Sequence, residues 1–260
     1  MSLSALLDMA GFFMLVLVRL TGMFVVAPFF GRRNIPAIFK AGFAFVNALI
    51  AVSVLKDRTI PETNGIVQFV AAAGSEFIVG MLIGYVSNMI FSAIYLAGQL
   101  IDMQMGFGIV NVIDPLSNIQ VPVTANFYFI MTMLVFLLIN GHHALIEALH
   151  RSFEIIPVGR AVFSDILFTD GLRMFGYIFE LGFKFAAPVT AAILIVDVML
   201  GIMSKTVPQL NVFVVGMPAK ILIGFLVMII TVPAVVLFMS SINDLAKAET
   251  IKFIRDMSQP

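Results

Sequence analysis

The fold is decided by the longest apolar run in the chain, Ile66 to Leu100, which reads IVQFVAAAGSEFIVGMLIGYVSNMIFSAIYLAGQL. Its single charged residue is Glu76. An apolar run of about 18 residues or more is typical of a membrane-spanning helix. This run is therefore long enough for two short passes or for one long helix.

Five further runs have the same character: Met9–Phe30, Ile38–Leu55, Val123–Ile139, Leu172–Leu200 and Ile221–Met239. Of the 260 residues, 61% are hydrophobic and only 12% are charged, whereas soluble domains carry about 25% charged residues. The sequence predicts an all-α membrane protein with about six or more apolar helices. Several should be kinked or broken, because four prolines interrupt the last third of the chain: Pro188, Pro208, Pro218 and Pro233. This composition excludes a typical cytosolic enzyme, a disordered scaffold and a basic nucleic-acid binder.

The loop lysines and arginines favour neither orientation under the positive-inside rule. This balance indicates that the apolar runs are not all simple lipid-facing spans. Gly80 and Gly84 are four residues apart, a spacing that permits two helices to approach closely in a membrane. We therefore expect tight helix packing along the longest run.

Five charged residues lie inside the apolar runs: Arg19, Glu76, Glu180, Lys184 and Asp197. Each would cost about 2.5–3.5 kcal/mol near the bilayer centre, so each should face protein or water. Glu180 precedes Lys184 by four residues, the favourable order for an ion pair on one helix face. We favour structural contacts between helices over an ion or proton pathway, because a proton transporter normally offers more acidic residues along several spans.

The stretch from Gly98 to Pro122 carries the strongest functional signal. A long apolar helix stops at two glycines, and the residues that follow include no Lys or Arg. Irregular backbone is tolerated at membrane depth only where protein covers it or a cavity is lined, and methionine side chains adapt to irregular gaps. The candidate plug or gate residues are Met105, Gly106, Phe107, Gly108, Ile109, Val110, Val112, Ile113, Asp114 and Pro115. The alternative is an ordinary apolar loop between helices.

Motifs for catalysis or cofactor binding are not evident. Gly106-x-Gly108 lacks the third glycine of a dinucleotide fingerprint, and the chain has no Gly-Lys-Ser or Gly-Lys-Thr phosphate loop. His143, Glu147 and His150 share a helix face at a spacing that can bind zinc, but we favour a helix lying at the membrane interface. We expect no catalytic, cofactor-binding or metal residue, no cofactor, no enzyme activity and no nucleic-acid partner.

Several segments resemble a known family. They are Gly98–Phe107 followed by Asp114-Pro115, then Asn140–Pro157, and Pro208–Pro218, the most specific of the three. Arg19 and the turn Pro28–Gly31 match as well. The matches extend from Arg19 to Pro233, and the chain resembles the FliR family of type III secretion export-gate membrane proteins.

This resemblance implies a non-enzymatic subunit of the flagellar protein-export gate, in the bacterial cytoplasmic (inner) membrane at the flagellar basal body. The implied partners are FliP-like and FliQ-like gate subunits in a multi-subunit helical assembly, FlhB-like and FlhA-like export proteins, membrane lipid and unfolded flagellar subunits. It implies one integral-membrane domain, residues 1–260, with a FliP-like portion at 1–140, a FliQ-like portion at 141–242 and a short polar tail at 243–260. The family's plug corresponds to residues 105–122.

Three alternatives remain open from the sequence. An injectisome-type export-gate subunit would share the fold, although Gln104–Phe107 resembles the flagellar members more closely. A proton-coupled small-molecule transporter would need acidic residues around a shared cavity and inverted repeats, and we see no such internal symmetry. A membrane-embedded enzyme would need a nucleophile placed beside a general base, and no such arrangement stands out in the sequence.

Overall fold

The computed structural model describes residues 3–32, 34–55, 65–108, 122–209 and 211–258. Over these residues the chain forms seven α-helices, and every regular element is helical. They are α1 (Leu3–Val26), α2 (Ala37–Val54), α3 (Ile66–Met105), α4 (Val123–Leu138), α5 (Gly141–Ile155), α6 (Asp165–Thr206) and α7 (Val212–Asp256). The predicted all-α class is confirmed.

Five of the helices in the described residues are long and apolar enough to cross a membrane, and the number is six if α4 and α5 together form one bent span. The break between α4 and α5 is at Asn140, which adopts a left-handed backbone conformation with φ of 57°. Asparagine is one of the few residues with a side chain that enters this region readily. The number of apolar helices agrees with the prediction.

The longest run forms one helix, α3, of 40 residues. At 1.5 Å per residue α3 is about 60 Å long, while the hydrocarbon core of a bilayer is about 30 Å thick. The helices α6 and α7 are longer still, with 42 and 45 residues. These lengths agree with the inference that the apolar runs are not all simple lipid-facing spans.

Pro208 lies in the turn between α6 and α7. The other three prolines of the last third lie inside continuous helices, Pro188 in α6 and Pro218 and Pro233 in α7. The polar stretch after Asn243 continues α7 to Asp256. Its apolar residues Ala246, Phe253 and Ile254 are buried, so this end of α7 packs against protein despite its polar composition.

The chain divides into two compact units, residues 1–90, 137–175 and 242–260 in the first, and residues 91–136 and 176–241 in the second. In the first unit, α1 packs closely on α3 through glycines. A Cβ atom added to Gly80 would lie 1.9 Å from the carbonyl oxygen of Arg19, and one added to Gly84 would lie 2.8 Å from that of Met23. The tight packing predicted from Gly80 and Gly84 is therefore present between these two helices.

Aromatic side chains join α1 to α2 in the first unit. The ring centroids of Phe13 and Phe45 are 5.3 Å apart, and those of Phe24 and Phe43 are also 5.3 Å apart. Edge-on and tilted ring pairs at such distances stabilise packing beyond simple burial. These ring contacts join the two helices, although the side chain of Phe45 is itself partly exposed.

In the second unit, the end of α3 lies against the start of α4. A Cβ atom on Gly98 would lie 2.2 Å from the Cα of Ala125, so only glycine fits at this crossing. The buried Tyr128 on α4 meets the ring of Phe185 on α6 at 4.8 Å, and Phe185 in turn contacts Phe238 on α7. The contact of Gly98 with Ala125 holds α3 against α4 two turns before the candidate plug begins.

Candidate functional site

The first candidate site is a buried ion pair in the first unit. Arg19 on α1 and Glu76 on α3 have fully buried side chains. The guanidinium donates to both carboxylate oxygens, from Nε to Oε2 at 2.5 Å and from Nη2 to Oε1 at 3.0 Å. This two-point geometry is the strong form of an arginine–carboxylate contact.

The remaining polar atoms of this pair also have partners. Arg19 donates from Nη1 to the Ser152 hydroxyl at 3.1 Å and from Nη2 to the carbonyl of Ile156 at 3.2 Å. The backbone N–H of Gly159 donates to Glu76 Oε1 at 2.6 Å, and the guanidinium carbon lies 4.3 Å from the centre of the Phe153 ring. A buried pair stabilises a fold only when its other hydrogen-bonding groups are satisfied. This one joins α1, α3, α5 and the turn after α5.

The second candidate site is the end of α3, where the predicted plug begins. The N–H of Phe107 donates to the carbonyl of Asp102 at 3.0 Å, and the N–H of Gly106 donates to that of Met103 at 3.2 Å. Gly106 has φ of 91°. These two bonds and the positive φ form a Schellman motif, the common way in which a helix stops at glycine. The glycine thus ends the helix as the sequence predicts.

The residues at this helix end contact α7 within the second unit. The side chain of Met105 is fully buried and lies over Gly224, where an added Cβ would be 2.7 Å from the methionine Cε. Gly106 faces Met217, and the rings of Phe107 and Phe225 are 6.4 Å apart. The first three plug residues therefore pack against α7.

A cavity of about 370 Å³ lies beside these residues in the second unit. Its lining includes Met105, Gly106, Met217, Asp197 and Lys220. Asp197 on α6 forms an ion pair with Lys220 on α7, and both side chains are partly exposed. Asp197, predicted only as a charge facing protein or water, thus lies on the same cavity as two plug residues.

Glu180 and Lys184 form an ion pair on α6, with the lysine Nζ 2.6 Å from the glutamate Oε1. The glutamate side chain is 52% exposed and the lysine side chain 62% exposed. In the described part of the chain both side chains are therefore more than half exposed. The role of these two residues as contacts between helices stays a prediction.

Of the remaining plug candidates, the structure describes only Gly108. Gly108 follows Phe107 in the turn after α3. Six candidates lie outside the described residues: Ile109, Val110, Val112, Ile113, Asp114 and Pro115. Their role as a plug stays a prediction.

The histidine-bearing helix is α5. Glu147 on this helix forms an ion pair with Arg151 at 2.7 Å, and both side chains are exposed. Among the described residues, no three His, Asp or Glu side chains are grouped so that they could hold a metal ion.

Two functional candidates were not predicted from the sequence. Lys220 lies just before the apolar run Ile221–Met239 and is not among the sequence candidates, yet it belongs to α7 and pairs with Asp197. Asp102 lies inside the Gly98–Phe107 segment with no predicted role of its own, yet its buried carboxylate accepts hydrogen bonds from the start of α4. An acidic residue near the end of an apolar helix was the available signal for Asp102, but the partner of Lys220 depends on how α6 and α7 fold together.

The chain was compared with known families and proteins. The family model described as bacterial export proteins, family 1, matches residues 10–246. The chain belongs to this family. Membership in the bacterial export proteins confirms the resemblance noted in the sequence, because the curated members similar to this chain carry the FliR name.

The relatives of this bacterial export protein cover most of its length. It is 36% identical over 258 residues to the flagellar biosynthetic protein FliR of Bacillus subtilis (strain 168), covering 98% of this chain and 97% of that protein. It is 27% identical to the FliR protein of Escherichia coli (strain K12), with 85% and 84% covered. It is 28% identical to that of Aquifex aeolicus (strain VF5), with 86% of each chain covered.

Proposed function

We propose that this chain is a non-enzymatic subunit of the flagellar type III protein-export gate and forms part of the pore for unfolded flagellar subunits. The observation that carries the proposal is the family match over residues 10–246, together with relatives named flagellar biosynthetic protein FliR that align along almost the whole chain. The chain is a membrane protein of the flagellar export apparatus. Its place in the bacterial cytoplasmic membrane, at the flagellar basal body, is part of the proposal.

The exposed surface supports assembly with other subunits. In the second unit, α6 and α7 carry many large apolar side chains that are more than half exposed: Leu194, Ile195, Val198, Ile202, Leu222, Ile229, Ile230 and Leu237. Exposed apolar surface on this scale is typical of membrane or protein contacts. We propose FliP-like and FliQ-like subunits as the protein partners, with FlhB-like and FlhA-like export proteins nearby.

The division of the chain into a FliP-like portion at 1–140 and a FliQ-like portion at 141–242 is part of the same proposal. Its support is the resemblance of the sequence alone. The FliP-like portion contains α1 to α4, and the FliQ-like portion contains α5, α6 and most of α7. Each portion should then contact neighbours of its own kind in the assembly.

The plug proposal rests on residues 105–115. Its described members leave α3 at Gly106, where the backbone turns without a Cβ penalty. Met105 and Phe107 are apolar and meet apolar residues of α7. Hydrophobic constrictions close channels by excluding water, so an apolar segment starting from a fixed helix end is suited to sealing a resting pore.

The charged residues favour a structural role over a proton pathway. Three of the acidic residues inside apolar runs have a basic partner within the chain, Glu76 with Arg19, Glu180 with Lys184, and Asp197 with Lys220. A proton pathway would need acids that can give up and accept protons along a shared cavity. The paired arrangement therefore supports the export-gate proposal over a proton-coupled transporter.

The flagellar assignment is favoured over an injectisome subunit because the similar curated proteins are named flagellar biosynthetic proteins. The absence of enzyme activity is proposed from the same family membership, since export and assembly are the processes that its members' names describe.

Co-expression tests the proposal. The chain should be purified in mild detergent with and without FliP-like and FliQ-like partners from the same genome. We expect a stable mixed complex with the partners, and aggregation or degradation without them, because the exposed apolar helices lack their covering surfaces. A stable monomer in detergent that binds neither partner would contradict the proposal. A functional homo-oligomer would favour a transporter.

A further inference from the structure

Asp102 connects two helices that are joined in sequence by the candidate plug. Its carboxylate is buried, at 6% residue exposure. Oδ1 accepts the backbone N–H of Thr124 at 3.0 Å, and Oδ2 accepts that of Ala125 at 3.3 Å. The first N–H groups of a helix lack partners within the helix, and a negative charge is favourable there. Asp102 on α3 therefore supplies the start of α4 with its acceptors.

The same residue also takes part in ending α3. Its backbone carbonyl accepts the N–H of Phe107 in the Schellman motif. One residue thus contacts both the turn by which the chain leaves α3 and the turn by which it enters α4. In the Schellman motif this position usually carries an apolar contact to the residue after the glycine, whereas here a carboxylate reaches to the next helix.

The surroundings make this connection specific to Asp102. The Thr124 hydroxyl donates to the carbonyl of Gly98 at 2.8 Å, and Gly98 touches Ala125 so closely that no Cβ could be added. These contacts bring α3 and α4 together one turn before Asp102. In the last turn of α3, the Asp102 carboxylate provides the hydrogen bonds to α4.

We infer that Asp102 is a positioning residue for the start of the plug. By holding the last turn of α3 on the first turn of α4, it fixes the direction in which Met105, Gly106 and Phe107 meet α7. Nothing in the family description or in the names of the relatives assigns such a role to this position. The bearing of this inference on export rests on the proposed function, whereas the positioning itself is a property of the α3–α4 junction.

The absence of cysteine in the chain allows a direct test. Met103 and Val123 have exposed side chains and are the sequence neighbours of the bonded residues Asp102 and Thr124. Cysteines at these two positions would carry spin labels in the assembled complex of the full chain with its partners. Strong dipolar coupling between the labels is expected with Asp102 present, because the two labelled positions flank a hydrogen bond.

Three variants separate the carboxylate from general packing. Asp102→Ala removes both acceptors and should weaken and broaden the dipolar coupling. Asp102→Asn keeps one acceptor oxygen and should give a dipolar coupling between those of the unchanged chain and the alanine variant. This variant allows the measurement if the alanine variant fails to assemble. Thr132→Val is the matched control, because it removes a buried hydroxyl bond to the Tyr128 carbonyl that lies within α4 and does not reach α3, and its coupling should stay unchanged.

Ion leak through the same complexes separates the inference from the proposed function. If the Asp102 variants assemble normally, weaker coupling together with increased ion leak would support both the positioning role of Asp102 and the plug. Weaker coupling without leak would support the positioning role and count against a plug at this segment. Unchanged coupling in Asp102→Ala, or in Asp102→Asn where only that variant assembles, would overturn the inference whatever the leak.

Discussion

Arg19 and Glu76 are 57 residues apart in sequence and form a two-point ion pair in which both side chains are fully buried. The pair joins α1 to α3 in the first unit. Removing one partner of a buried ion pair leaves an uncompensated charge, whereas replacing both partners with apolar residues is often tolerated. This asymmetry makes the structural role of the pair testable.

Arg19→Ala or Glu76→Ala should each destabilise the chain by about 3–5 kcal/mol, the usual cost of a broken buried pair. The double variant Arg19→Met with Glu76→Leu should lose less, although Ser152 and the backbone of Gly159 would then lack their partners. Thermal unfolding of the purified complex and the amount of chain in the membrane measure the effect. A loss in the double variant that equals the sum of the two single losses would show that the two charges act separately.

Gly80 provides a second test of the same packing. Gly80→Ala should destabilise the chain by about 1–3 kcal/mol, the usual cost of overpacking, because the added Cβ would lie 1.9 Å from the backbone of α1. Gly74→Ala on the same helix is the matched control, since nothing lies within 4 Å of its added Cβ. The control should be neutral or slightly stabilising, because alanine favours helix more than glycine does. A similar loss of thermal stability in both variants would contradict close α1–α3 packing.

Glu180 and Lys184 test whether partner subunits cover the surface of α6. Because the pair is exposed within this chain, Lys184→Ala should change the stability of the chain itself by about 0.5 kcal/mol or less. If a partner buries the pair, Lys184→Ala should reduce assembly more than the double change to apolar residues, since Glu180 would be left unpaired. The abundance of the chain measures its stability, and the yield of the complex relative to that abundance measures assembly. Assembly that is equally insensitive to both variants would leave the pair as a surface contact only.

Deletion of Gly106 to Val112 tests the plug. The deletion should leave the complex assembled but permeable to small ions, because it removes the apolar residues that exclude water from a narrow passage. Ion flux into vesicles that contain the purified complex provides the measurement, with the intact complex as the silent control. An assembled deletion complex that stays impermeable would favour the ordinary apolar loop.

The sequence predicted the helices best where apolar runs end at charged or proline-containing turns. The bounds of α2, Ala37–Val54, differ by one residue at each end from the predicted run. The predictions were poorest for α6 and α7, which extend beyond their apolar runs to Asp165 and Asp256. The C-terminal end of α7 mixes charged residues with the buried Ala246, Phe253 and Ile254, so hydropathy alone does not detect it.

The candidate site shows the same limit. The spacing of Glu180 and Lys184 sufficed to predict their contact, because both lie on one helix at i and i+4. Arg19 and Glu76 were each recognised as a charge in an apolar run, but their pairing depends on how α1 packs against α3. Local periodicity fixes contacts within a helix, whereas contacts between helices require the three-dimensional arrangement.

Under the proposed function, unfolded flagellar subunits pass this chain on their way through the gate. A photo-reactive amino acid at Phe107, at the start of the plug, should crosslink to an export substrate stalled in transit in living cells. The same probe at Ile38, an exposed residue of α2 in the first unit, is the control and should crosslink weakly or not at all. A substrate crosslink at Phe107 that requires stalling is the predicted result, and a complete lack of crosslinking at Phe107 while the substrate is stalled in the gate would contradict the account.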